Sequence, residues 1–106
     1  MKRWNVRLTD FVIEQLAQIS DQREKEIIRT KLRQLEVDPD KQGKRLVDEL
    51  TGCRVVRAAG QRYRIIYRMQ AEHISVLVVF IGRRKEGDKK DVYTLAQKLA
   101  RLGLLE

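Results

Sequence analysis

The sequence predicts an α+β fold: an N-terminal strand, an antiparallel helical hairpin, a three-stranded antiparallel meander and a C-terminal helix. Three observations carry this. One short segment alternates apolar and polar residues, two adjacent segments space their apolar residues helically, and three β-rich runs follow with short connections. With 106 residues, positions 1–106 make a single domain. A domain of this size buries roughly 60–70% of the surface its unfolded chain exposes, enough for one ordinary core.

Trp4-Asn5-Val6-Arg7-Leu8 alternates and reads as a half-buried strand, with Trp4 a core aromatic. Thr9 or Asp10 caps a first helix whose apolar side is Phe11, Leu16 and Ile19, widened by Val12 and Ile13. Ser20-Asp21 interrupts, and Asp21 and Glu24 have the spacing of a capping box. A second helix runs from about Gln22 to Val37 on the stripe Ile28, Leu32, Leu35, until Asp38-Pro39 ends it. Asp40–Lys44 is a loop, after which Leu46, Val47 and Leu50 tuck back before the Thr51-Gly52 turn. The strands follow at Cys53–Ala58, Arg62–Met69 and His73–Gly82. The last is apolar on both parities, as a central strand covered on both faces should be. Asp88–Arg101 is a final amphipathic helix with Leu95, Leu99 and Leu102.

Composition narrows the function. No stretch approaches the ~18 apolar residues of a membrane span. Met1–Asn5 has no apolar signal region, so a cytoplasmic protein is expected. One cysteine, Cys53, and one histidine, His73, exclude an internal disulfide, multi-cysteine metal sites and His-pair catalysis, and no metal or other cofactor is expected. Net charge is +8 and unevenly spread. Residues 10–50 hold eight basic and ten acidic residues, whereas residues 51–106 hold twelve and five. A basic second half suggests a localised polyanion site.

Strand alternation sharpens this. On Arg62–Met69, one face carries Tyr63, Ile65, Tyr67 and Met69, to pack on the helices. The other carries Arg62, Arg64 and Arg68 around Ile66. Arg54 and Arg57 stand on the neighbouring strand, and Arg83-Arg84-Lys85 closes the third. Five or six cations can therefore converge, and phosphate oxygens would offset their repulsion through paired guanidinium bonds. The alternative is an exposed face that uses Arg for solubility and edge protection.

The run Gly52-Cys53 to Arg57, the strand Arg62-Tyr63-Arg64-Ile65-Ile66-Tyr67, the end Val79-Phe80-Ile81-Gly82-Arg83-Arg84 and the closing Asp91-Val92-Tyr93 resemble the RelE/ParE toxin superfamily, and its RelE-like branch in particular. The N-terminal strand, helical hairpin and Lys44-Arg45-Leu46 follow the same order, so the resemblance covers nearly the whole chain. It implies a toxin of a type II toxin–antitoxin system. Such a toxin enters the ribosomal A site and cleaves mRNA without a metal, through attack of a ribose 2′-OH on the adjacent phosphate. The resemblance implies catalytic roles for Arg57, Arg64, Arg84 and Tyr93; the remaining cations of the clustered strands, Arg54, Arg62, Arg68, Arg83 and Lys85, are expected to bind RNA around them. It also implies a cognate antitoxin that covers the basic face. One position departs: a Lys expected two residues before Arg57 is Val55 here, which leaves the proton acceptor unassigned.

The chemistry fits those residue types. In-line attack by a 2′-OH needs stabilisation of added negative charge and movement of protons. Guanidinium groups supply the first and are poor bases; Tyr93 suits stacking or proton movement. Asp91 and Glu86 are either bases or ion-pair partners. His73 reads as an exposed turn residue and Cys53 as a small core residue. Two other readings compete: a ParE-like toxin that inhibits DNA gyrase by binding, and a non-catalytic RNA-binding domain.

Overall fold

A computed structural model describes residues 3–105 and has the expected strand, helix pair, meander and final helix in order. The elements are β1 (Asn5–Leu8), α1 (Asp10–Ala17), α2 (Gln22–Gln34), β2 (Lys44–Arg45), β3 (Arg54–Ala58), β4 (Tyr63–Gln70), β5 (Ser75–Arg83) and α3 (Val92–Arg101). The sheet has five strands in the order β1-β5-β4-β3-β2. β1 runs parallel to β5, with Val6 beside Val76, and the remaining neighbours are antiparallel. β2 corrects the loop expected at 40–44. Two basic residues show no alternation, and only their pairing with Arg54 and Val55 makes them a strand.

Alternation along β4 sorts the interior into two cores. Tyr63, Ile65 and Tyr67 face Val12, Ile28, Leu32 and Leu35 of the α1–α2 segment. Ile66 faces the other way, with Val79 and Phe80 of β5 and Val92 and Ala96 of α3. β5 serves both cores, as its unbroken apolar run predicts, and a bulge opposite Ile66/Tyr67 lets it do so. Full burial of side chains such as Ile28 and Leu35 contributes about 1.5–3 kcal/mol each. Tyr67 is wholly buried, and its one hydroxyl proton is shared between the carbonyls of Pro39 (2.8 Å) and Gln42 (3.0 Å). Those bonds satisfy the phenol and fasten the 39–42 segment to the sheet.

Several boundaries and faces differ from expectation. α2 stops at Gln34, three residues before Val37. The Trp4 N–H donates to Glu36 O at 2.8 Å and Arg3 bridges to Val37, so the N-terminal segment captures backbone a longer helix would need. Asp38 is left-handed (φ 47°) before Pro39. Asp21 caps α2 through the N–H groups of Arg23 and Glu24, but the Glu24 side chain closes no box; it binds Arg62 and Tyr63 instead. α1 buries Val12 where Phe11 was expected to lead; Phe11 and Ile13 are exposed, Phe11 lying at 5.7 Å from the Phe80 ring. Val47 and Leu102 are exposed. α3 begins at Val92 because Asp91 is its cap, so Val92 and Ala96 carry its buried face. Trp4 packs against the first core, and His73 is exposed in a short 3₁₀ turn, both as expected. No helix among the described residues is long and apolar enough to cross a membrane.

Candidate active site

The face of β3–β4 that looks toward α3 carries an open groove of about 600 Å³. Arg57 sits on β3 directly opposite Arg64 on β4, and Arg64 in turn is opposite Gly82 on β5. This register brings both guanidinium groups to the same face, beside Val55 and Ile66. Gly82 keeps the third side open. A Cβ there would lie 3.0 Å from Val92 Cγ2 and 3.1 Å from Phe80 Cε2, so only glycine lets the start of α3 sit this close to β5. That approach delivers Arg84 and Tyr93 to the groove, which Arg57, Arg64, Arg84 and Tyr93 line together.

Each of the four is held differently. Arg64 is only 9% exposed; its Nη1 donates to the Gln61 and Tyr63 carbonyls, fixing the guanidinium against the β3–β4 turn. Arg57 is exposed, with one contact to Gln61 Oε1 at 3.4 Å. Arg84 donates to Asp91 Oδ1 at 2.7 Å and lies 5.1 Å over the Tyr93 ring, a cation–π contact. Its hydrogen bond with Asp91 raises the Arg84 pKa further, so this cation is permanent. Asp91 also accepts from the Lys85 N–H (2.6 Å) and the Tyr93 N–H (3.1 Å). Burial pushes the Asp91 carboxyl up, but the bonds from Arg84, Lys85 and Tyr93 outweigh it and hold the group below its usual value. Asp91 is thus an ion-pair and capping residue and a poor base. Glu86 stands at 3.9 Å from Arg84 and is largely exposed.

The five surrounding cations do not join the groove lining. Arg62 turns to the helical side and pairs with Glu24 at 3.0 Å. Arg83 lies over the Tyr63 ring at 5.6 Å, on the opposite face from Arg84 because neighbours on a strand alternate. Arg54 points to the same helical face, donating from Nε to Gln42 O at 3.0 Å. Arg68 shares the α3 face but lies at the far end of β4, near Glu49 and Cys53. Lys85 contributes its N–H to Asp91 rather than its side chain to the groove. Conversely, Lys31 from α2 and Lys44 from β2 line the groove and were not expected to. Lys31 lies on a polar helix face without any distinguishing spacing, and Lys44 becomes visible only once β2 is known to pair with β3. Cys53 is buried and free; burial pushes its thiol up, which disfavours a nucleophilic role.

A second depression, about 610 Å³, lies on the other side of Arg57 between α2 and the β3–β4 turn. Ile27, Ala58 and Ala59 give it an apolar floor, and of the three guanidinium groups of the first groove only Arg57 reaches it.

Residues 6–87 match the family described as the ParE toxin of the type II toxin–antitoxin system, parDE. The chain belongs to this family. It is a type II toxin of the RelE/ParE superfamily, as its motifs suggest. Among solved structures, the toxin resembles the RelBE2 toxin–antitoxin complex of Mycobacterium tuberculosis at 27% identity, over 79% of this chain and 94% of that one, with TM-score 0.68. It also resembles an Escherichia coli RelE mutant in the free state (14% identity, 94% and 98% covered, TM-score 0.70). The intact E. coli RelBE complex gives 16% identity, 78% and 99% covered, and TM-score 0.65. The two E. coli likenesses show the shared fold. No curated protein matches this RelE/ParE-family toxin.

Proposed function

We propose that this toxin is a ribosome-dependent mRNA endonuclease. The observation that carries the reading is the meeting of Arg57, Arg64, Arg84 and Tyr93 from four separate segments in one groove. A phosphodiester seated there would meet fixed positive charge on several sides. When the neighbouring 2′-OH attacks, the added negative charge on the phosphorus oxygens is stabilised by Arg64 and Arg84, both held in place before substrate arrives. As the 2′-O–P bond forms the 2′-OH gives up its proton, the P–O5′ bond breaks and the leaving 5′-oxygen takes a proton, so that a 2′,3′-cyclic phosphate and a 5′-hydroxyl result. Arg57, exposed and loosely held, is free to follow the backbone of the RNA. Tyr93, with Arg84 on its ring, suits stacking on a splayed base. A groove of fixed cations orients little by itself, so the ribosome presents the mRNA in line for attack. On this reading the toxin acts in the cytoplasm. An antitoxin is the expected inhibitory partner, as in the RelBE complexes that share the fold.

The test is growth arrest and primer extension on an mRNA after induction. Arg64→Ala and Arg84→Ala should each abolish arrest and cleavage at wild-type protein levels; full toxicity in both variants sinks the reading. A second reading, gyrase inhibition by binding, draws on the ParE description of the matching family. Inhibited supercoiling with intact mRNA would favour it.

A further inference from the structure

We propose that Lys44 is a substrate-contacting residue: its ammonium binds a backbone phosphate of the RNA in the groove, beside Arg57, Arg64 and Arg84. The proposal rests on the groove being an RNA site and adds a contact from a strand outside the meander. Lys44 pairs with Val55, so its side chain leaves the sheet on the same face as Val55 and Arg57, and it lines the groove with them.

The backbone that delivers Lys44 is built rather than loose. The Gln42 carbonyl accepts from Arg54 Nε and from the buried Tyr67 hydroxyl, both at 3.0 Å. The Gln42 side chain donates to Gln34 O at 2.7 Å and Val37 O at 2.8 Å, tying the same residue to the end of α2. Arg54 Nη2 reaches the Gly43 carbonyl at 3.5 Å. Gly43 itself is left-handed (φ +68°), and a Cβ on it would fall 2.2 Å from Val55 O. Any other residue at 43 would push the chain off β3 and withdraw Lys44 from the groove.

Charge gives the second argument. Among the described residues the Lys44 side chain has no ion-pair or hydrogen-bond partner, although the groove it lines holds three guanidinium groups and the carboxylate of Glu86. Lys31, Lys44, Arg57, Arg64 and Arg84 repel one another, and the one carboxylate that lines the groove, Glu86, stands 3.9 Å from Arg84 and does not pair with Lys44. A phosphate would. Arg54 is then a positioning residue: it faces away from the groove but holds the 42–43 backbone that presents Lys44.

The experiment compares Lys44→Ala and Lys44→Arg with Lys98→Ala, a basic residue on exposed α3 surface outside the groove. Two readouts are taken. The first is equilibrium binding of a short labelled single-stranded RNA across a salt series. The second is single-turnover mRNA cleavage on programmed ribosomes. Lys44→Ala should lower the slope of log affinity against log salt by about 0.7, the loss of one phosphate contact. It should slow cleavage about 10- to 100-fold, the effect of losing one charged hydrogen bond. Lys44→Arg should restore most of both, and all variants should unfold at the wild-type temperature. If Lys44→Ala matches Lys98→Ala in slope and rate, the proposal is overturned. If the slope falls for Lys44→Ala alone while wild-type protein cleaves no mRNA, the phosphate contact stands and the nuclease reading fails.

Discussion

Arg84 and Asp91 are joined by a 2.7 Å hydrogen bond that ties the end of β5 to the start of α3. The same carboxylate caps α3 at Tyr93 N–H and holds the Lys85 N–H, so a single group fixes two of the four groove residues. Asp91→Asn should therefore cost about 1.5–3 kcal/mol of stability, the range for hydrogen bonds to a charged group, read by urea unfolding at neutral pH. The pH dependence follows from the direction of the shift. The folded carboxyl titrates below its ordinary value of 3.8, so its contribution is complete above that value and is lost as the pH falls through the lower, folded one. The gap between wild type and Asp91→Asn should close in strong acid. A gap that stays constant with pH would mean that capping geometry, not charge, is what Asp91 provides.

Arg57 and Arg64 face each other across β3 and β4. Like charges directly opposite on a sheet are destabilising, by up to about 1 kcal/mol. Arg57 is exposed and makes one long bond to Gln61, so it has little to lose from replacement. Arg57→Gln should leave unfolding unchanged or raise the midpoint slightly, while mRNA cleavage falls by at least an order of magnitude. A variant that is both less stable and fully active would contradict the assignment of Arg57 to the substrate.

The sequence made the strands legible because β4 and β5 carry strong, uninterrupted signals: alternation in Tyr63–Tyr67 and an apolar run in β5. The same alternation was enough to place Arg57, Arg64 and Arg84 on a shared side once β3, β4 and β5 were taken as neighbours. It failed for Arg62, which precedes the first residue of β4, whereas Arg83 follows the alternation and falls on the face of its register partner Tyr63. Outside the strand the partner, Glu24, decides where the Arg62 side chain goes. Arg54 could be placed by parity alone, being one residue from Val55 and three from Arg57, yet its task of holding the Gln42 carbonyl depends on a tertiary contact no local pattern encodes. Lys44 escaped for a related reason. A two-residue strand has no period, and its side chain acquires a direction only from its partner Val55.

Arg62 and Arg83 supply a control for the charge argument. If mere positive charge drove function, removing either would matter as much as removing Arg57. Both face the helical side, so Arg62→Ala and Arg83→Ala should keep growth arrest and cleavage within a few-fold of wild type. Arg62→Ala gives up an exposed ion pair worth under about 1 kcal/mol. Loss of toxicity in both variants at normal protein levels would move the functional surface to the face occupied by Tyr63.

Gly82 tests whether the approach of α3 to β5 sets the groove. A methyl at this position meets Val92 Cγ2 at 3.0 Å and Phe80 Cε2 at 3.1 Å, closer than side chains comfortably pack. Val92 is fully buried and adjacent to both the Asp91 cap and Tyr93, so it can yield only by shifting the start of α3. Gly82→Ala should destabilise by about 1–3 kcal/mol, as overpacking does. It should also reduce cleavage, because Tyr93 moves with the helix. Val92→Ala frees that space at the price of a small cavity. The double variant should therefore be more stable than the sum of the two single losses, by about 0.5 kcal/mol or more in a double-mutant cycle. Additive losses would show that Gly82 and Val92 do not share the contact, and that something other than this close packing holds α3 at the groove.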